Sequence, residues 1–147
     1  MAQAIPEGLR TLTPQLVVED AAALLAFVKD AFGAELPHPP MLGPDRKSIM
    51  HAHVRIGDSV LFVSSAGGFA KPTTSNLFVY VADVDAAALR ATAAGAKVVA
   101  PVANMFWGDR WGMVEDRFGN VWQVATHVED VSPDEMKRRM ANLPKPA

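Results

Sequence analysis

The sequence predicts an α+β fold of two tandem βαβββ modules, their strands forming a curved mixed sheet around a cleft, with a short C-terminal helix after them. Three observations carry that expectation. Apolar alternation and helical stripes follow one another as strand, helix, strands; the same landmarks recur 62 or 63 residues later; and a proline-led capping box opens a last helical segment. The 147 residues fit one domain, expected over residues 5–140, with modules at about 9–66 and 75–128 and the final helix at 132–141.

In the first module Thr11 to Val18 alternates, with Leu12, Leu16 and Val18 on one face and Thr11, Thr13 and Gln15 on the other. Asp20 is placed to cap a helix whose stripe is Leu24, Leu25, Phe27, Val28, Ala31 and Phe32, and Gly33 stands where a left-handed C-terminal cap belongs. The proline-rich run from Pro37 to Pro44 is expected to exclude regular structure. Ile49 to Ile56 alternates again, with His51, His53 and Arg55 polar, and a Gly57-Asp58 turn leads into the more uniformly apolar Ser59 to Val63.

The second half repeats this order. Asn76 to Val81 precedes Asp83 as Thr13 to Val18 precedes Asp20; Ala94-Gly95-Ala96 matches Phe32-Gly33-Ala34; and Arg117-Phe118-Gly119-Asn120 matches Arg55-Ile56-Gly57-Asp58. Gly67-Gly68 reads as the linker between modules, and Trp122, alternating away from Gln123, reads as core. Ser132-Pro133-Asp134-Glu135 predicts the start of the last helix, with Met136, Met140 and Leu143 as its apolar residues. Pro144 to Ala147 is expected to fray.

The net charge of −2 provides no field for a nucleic-acid backbone or an anionic membrane, so neither is expected as a partner. With no cysteine, disulfides, thiol nucleophiles, zinc–cysteine sites and iron–sulfur clusters are excluded. No segment reads as a leader or a membrane span, so a soluble, cytoplasmic protein is expected. The chain also lacks a phosphate-cradling glycine loop, a G-x-S-x-G elbow and an HExxH motif.

Each amphipathic helix must cover one face of its own strands, which leaves the opposite faces of the two modules to line a cleft for a small molecule. That phase selects Thr13, Gln15, His51, His53, Asn76, Phe78, Tyr80, Glu115 and Gln123, together with Trp111 and Met113. The Phe106-Trp107-Gly108-Asp109-Arg110-Trp111-Gly112 segment admits two readings. Trp107 and Trp111 could build an aromatic wall beside the Arg110 guanidinium, suited to a planar or anionic ligand; or Asp109 and Arg110 could pin the loop while the rings fill the module interface. His38 and His127 are expected in structural or solvent roles.

The two repeats, the LVVEDAAALLAFVKDAFGAE opening, HAHVRIGDSV, and above all MFWGDRWGMVEDRFGNVWQVATHVED resemble the vicinal oxygen chelate superfamily, its PhnB-like branch in particular. That superfamily includes glyoxalase I, extradiol dioxygenases, and fosfomycin and bleomycin resistance proteins. The resemblance runs from about Ile5 to Met140 and implies paired modules around a U-shaped sheet, within or across chains, and a homodimer. It departs from the PhnB-like DPFGH stretch at Arg117 and Asn120. Metal-dependent members hold a divalent ion with His, Glu or Gln from the first and last strand of each module. The repeat puts Thr13, Leu61, Asn76 and Gln123 at those positions, with Phe62 the choice if the register moves by one. These supply neither imidazole nor carboxylate, so no metal cofactor is expected there.

The alternative is a divalent metal at a non-standard site made by His51, His53 and Glu115, with Glu115 taken as the repeat equivalent of His53. His51 or His53 could also serve as a general base, giving a glyoxalase-like lyase or isomerase, or a dioxygenase if metal is held. The leading expectation is a metal-free small-molecule-binding protein of the bleomycin-resistance type, with catalysis left open. A structural or regulatory partner is the third.

Overall fold

The computed structural model describes residues 1–68 and 70–146; Ala147, expected at the frayed end, lies outside them. The first module comprises β1 (Gln15–Val18), α1 (Ala21–Phe32), β2 (Met41–Leu42), β3 (Ile49–Ile56) and β4 (Ser59–Ser65). The second comprises β5 (Asn76–Tyr80), α2 (Val84–Ala93), β6 (Lys97–Asn104), β7 (Asp109–Glu115) and β8 (Val121–His127), and α3 (Pro133–Ala141) follows. Each module forms its own four-stranded mixed sheet, in the orders β1-β4-β3-β2 and β5-β8-β7-β6. In both, the first strand runs parallel to the last and the hairpin strands are antiparallel. The α+β architecture of tandem βαβββ modules and a C-terminal helix therefore stands.

The helix ends follow local chemistry. Asp20 Oδ1 accepts from the Ala23 N–H and Asp83 Oδ1 from the Ala86 N–H, so both main helices start on an aspartate cap. Gly33 takes a left-handed conformation at φ 66° and donates to the Lys29 carbonyl, closing α1. The Ser132 hydroxyl accepts from the Glu135 N–H with Pro133 in the first turn, as the capping box requires.

Two expectations about the first module change. The proline-rich run is not wholly irregular, because Met41 and Leu42, which follow Pro40, pair with His51 and Ile49 as the short bulged edge strand β2. The first strand begins at Gln15 rather than Thr11, so Leu12 is left exposed while Leu16 and Val18 enter the core.

One apolar core spans both modules. α1 covers β1, β3 and β4, α2 covers β6, β7 and β8, and the helices pack against each other. Arg90 of α2 donates through Nε to the Ala31 carbonyl in the last turn of α1, a cation at the negative end of that helix. Trp122 of β8 is fully buried, its ring centroid 4.9 Å from that of Phe32 and 6.3 Å from that of Phe27 in the other module. Its indole N–H donates to Asp116 Oδ2 at 2.9 Å, and the other oxygen of that buried carboxylate accepts the N–H groups of Phe118 and Asn120. The Asp116–Asn120 turn is thus built around the tryptophan. Gly119 sits in it at φ 88°, and a Cβ there would lie 2.9 Å from Thr74 Cγ2.

Trp122→Ala should lower unfolding free energy in a denaturant titration by about 3–5 kcal/mol, the usual range for emptying a buried aromatic site. Trp122→Phe should fall between, losing roughly 1–3 kcal/mol because Asp116 keeps its burial but loses one donor.

Candidate functional site

Strand alternation places Asn76, Phe78 and Tyr80 of β5, Gln123 of β8, and Trp111 and Met113 of β7 on the face of the second sheet away from α2. Phe78 stands opposite Gln123, and Gln123 opposite Met113. The Trp111 indole donates to Gln123 Oε1 at 3.2 Å, and Gln123 Nε2 donates to Asn76 Oδ1 at 2.9 Å. The amide row thereby fixes the Trp111 ring. Phe78 and Tyr80 lie 5.1 Å apart, and Trp107, from the β6–β7 turn, meets Trp111 edge to face at 5.8 Å. The result is a half-exposed wall of four aromatic rings with a polar strip along it.

Asp109 holds that wall in place from behind. It is 2% exposed, and its Oδ2 accepts both the Tyr80 hydroxyl and the Trp107 indole N–H at 2.9 Å. Its Oδ1 lies 2.8 Å from His127 Nδ1, while His127 Nε2 lies 2.7 Å from Asp130. Burial opposes ionisation of Asp109, but the bonds from His127, Tyr80 and Trp107 outweigh it and hold its pKa below the ordinary carboxylate value. The Asp109 hydrogen bond raises the pKa of Tyr80, and the bonds to Asp130 and Asp109 raise that of His127. The sequence places His127 in a structural or solvent role without naming a partner, and only the cross-strand pairing of Asp109 with His127 brings the two together.

The turn itself is clamped from the C-terminal side. Gly108 lies at φ 105°, where a Cβ would sit 2.1 Å from the Glu129 carbonyl oxygen, and its own carbonyl accepts the Val128 and Glu129 N–H groups. Arg139 of α3 donates to the Phe106 carbonyl and to both Glu129 carboxylate oxygens, so the last helix braces the loop that carries Trp107.

Arg110 does not belong to the wall. Being next to Asp109 on a strand, it points to the opposite face, where its guanidinium binds Asp85 of α2 bidentately at 2.7 and 2.9 Å and Asn104 at 3.2 Å. The expected ligand-facing guanidinium is a brace between β7 and α2. Thr13 precedes β1 and lines a groove of about 1040 Å³ between the modules, together with Phe32, Leu77 and Trp122.

The corresponding face of the first sheet carries Gln15, His51, His53 and Phe62. Gln15 Nε2 donates to Ser64 Oγ at 3.1 Å. Both imidazoles lie against Phe62, with centroids at 4.5 and 5.9 Å, and His38 stands 6.1 Å from His53. Burial, then the neighbouring His38, His51 and Arg55, lowers the pKa of His53.

The sheet registers revise the repeat equivalences. His53 faces Phe62 as Met113 faces Gln123, and Arg55 faces Val60 as Glu115 faces Val121. Glu115 therefore corresponds to Arg55 and not to His53. The Arg55–Asp58 match to Arg117–Asn120 is not a structural one, since Arg55 lies within β3 and Arg117 in a longer turn. Leu61 points into the core, and Phe62 occupies the open-face position of β4. The positions that the resemblance implies for metal ligands thus hold Thr13, Phe62, Asn76 and Gln123, a donor set that does not fit a divalent ion. Among the described residues no three His, Asp or Glu side chains are placed to hold a metal, so His51, His53 and Glu115 do not converge within the chain.

Paired βαβββ modules with an open face on each sheet define a class of protein, and comparison with known proteins supplies the family. The family model for the glyoxalase/bleomycin resistance protein/dioxygenase superfamily matches residues 10–124, and the chain belongs to that superfamily. Proteins described as uncharacterized from Mycobacterium bovis and Mycobacterium tuberculosis H37Rv are each 38% identical to it over 143 residues, covering 89% of this chain and 92% and 82% of theirs. Among solved structures it is similar to TioX from Micromonospora sp. ML1, with TM-score 0.66, 26% identity, and coverage of 82% of this chain and 100% of that one. It also shares its fold with TnmS3, an antibiotic binding protein from Streptomyces sp. CB03234, with TM-score 0.62, 22% identity, and coverage of 86% and 99%.

Arg110→Ala should lower the melting temperature slightly, as loss of an exposed ion pair does, and leave the tryptophan fluorescence spectrum unchanged because the wall does not use it. A changed spectrum would return Arg110 to the wall.

Proposed function

We propose that the protein binds a planar aromatic small molecule without a metal, stacking it on the Phe78, Tyr80, Trp107 and Trp111 wall, and that it works as a cytoplasmic homodimer. The observation that carries this reading is the wall itself: Tyr80, Trp107 and Trp111 are oriented by hydrogen bonds behind them rather than by burial, and Phe78 packs on Tyr80, which leaves ring faces free for a ligand. Gln123 and Asn76 supply the polar edge that orients a ring substituent. The shared fold with an antibiotic binding protein agrees with this use of the scaffold, and the FWGDRWG segment supports a PhnB-like affiliation.

The dimer is supported by the apolar surface that both open faces leave uncovered. Tyr80 is 62% exposed and Met41 59%, and apolar side chains on an open sheet face are of the kind an interface between copies covers. A second copy set across these faces would turn each into a closed cleft.

A second reading, general-base chemistry at His53, draws support from its lowered pKa, which keeps the ring neutral and able to accept a proton at pH 7. The two readings separate by mutation.

Calorimetric titration with uncharged tricyclic quinones should give saturable binding, weakened about fivefold to tenfold by Trp111→Ala, the usual worth of one aromatic stacking partner. His53→Ala should leave that binding within twofold. Absence of binding across the series, or equal binding by Trp111→Ala, would reject the wall as the site; turnover of a bound carbonyl compound lost in His53→Ala would establish the second reading. Sedimentation equilibrium should give the mass of two chains.

A further inference from the structure

We propose that Asp109 is the positioning residue of the aromatic wall, and that a doubly protonated His127 ring, strapped between Asp109 and Asp130, is the latch that holds it. The proposal rests on the reading of the wall as a ligand surface, and adds how that surface is kept in shape and what releases it.

The geometry requires a cation at His127. Both ring nitrogens lie within hydrogen-bond distance of carboxylate oxygens, at 2.8 Å from Asp109 and 2.7 Å from Asp130. A carboxylate only accepts, so both nitrogens must donate, and a neutral imidazole has one N–H. On losing its proton the ring can keep one partner. Asp130 is fully exposed and exchanges the imidazole for water readily, whereas Asp109 is buried and cannot, so the neutral ring keeps its proton on Nδ1 and lets Asp130 go.

That change reaches the wall through one side chain. With His127 neutral, the buried Asp109 charge loses its counter-charge and is stabilised only by neutral donors: the Tyr80 hydroxyl, the Trp107 indole and the remaining imidazole N–H. Neither Arg110 nor Arg139 is free to replace it. Arg110 faces the other side of β7 and is held by Asp85, and Arg139 is held by Glu129 and Glu135. Glu129, next to Asp130 in the chain, is acidic and pairs with Arg139. Loss of the strap also frees the segment after β8 that pins Gly108, whose carbonyl accepts the Glu129 N–H, and so loosens the turn carrying Trp107.

Three tryptophans make the test internal, because each indole N–H has a different acceptor: Trp107 on Asp109, Trp111 on Gln123 and Trp122 on Asp116. In nitrogen-15 labelled full-length protein, the Trp107 indole resonance should titrate in step with His127, with its midpoint raised above the ordinary histidine value, while the Trp122 resonance stays still. His127→Gln should abolish that titration. Asp109→Asn should displace the Trp107 resonance at every pH and weaken binding of the tricyclic quinone about tenfold with cooperative unfolding retained; if that variant fails to fold, His127→Gln decides alone. Quinone affinity should fall severalfold as the pH rises through the same transition. A Trp107 resonance that is flat in pH, or that moves together with Trp122, overturns the latch. A titrating Trp107 in a protein that binds no quinone confirms the latch and rejects the ligand reading instead.

Discussion

The burial of Trp122 between the two modules is the interaction on which the remaining structure depends. Its ring fills the space between β8 and the last turns of α1, so the first module's helix packs on the second module's sheet. A ring so placed cannot leave its N–H unpaired, since an orphaned buried donor costs as much as the packing of a small side chain returns. Asp116 supplies the acceptor and is itself neutralised in effect by two further backbone donors of the turn it caps. Asn120, also buried, carries the same turn to Ser75 at the start of β5 through its side-chain oxygen. Packing, turn geometry and the placement of β5 are therefore one arrangement. Arg90 at the end of α1 adds a second tie between the helices.

With the helix-covered faces consumed by that core, the chemistry is left to the open faces, and the two modules have used theirs differently. The second carries tryptophan, tyrosine and amide groups cross-bonded into a fixed surface; the first carries imidazoles lying on Phe62 with no carboxylate among them. The superfamily's metal positions therefore meet neutral oxygens and a phenyl ring. A surface of that composition favours stacking over Lewis-acid chemistry, because softness, charge and basicity are what hold a divalent ion.

Asp109 and Arg110 show how little separates a site residue from a brace. They are neighbours in sequence and of opposite charge, and either could have faced a ligand. Strand pairing sends one to the open face and the other to α2. The buried carboxylate then organises three donors from β5, the β6–β7 turn and β8, while the guanidinium ties β7 to a helix. Neither role is a property of the residue alone.

By itself the sequence determined the elements and their order. Aspartate caps, the Gly33 terminus, the two-residue periodicity of the strands and the alternation that buries Trp122 are local signals, set by backbone conformation and by which face of a short segment is apolar. Trp111, Tyr80, Asn76 and Gln123 were legible as a surface for the same reason. What only the tertiary structure decided is register across distant strands. A two-residue turn between β3 and β4 against a five-residue turn between β7 and β8 slides one module's numbering past the other's, so Glu115 parts from His53 and Phe62 displaces Leu61. The meeting of Asp109 with His127 and Tyr80 likewise depends on which residues lie opposite in a sheet. Period two tells which side of a strand a residue takes, but a slip of one residue reverses every side, and that choice is made by core packing and turn length acting together.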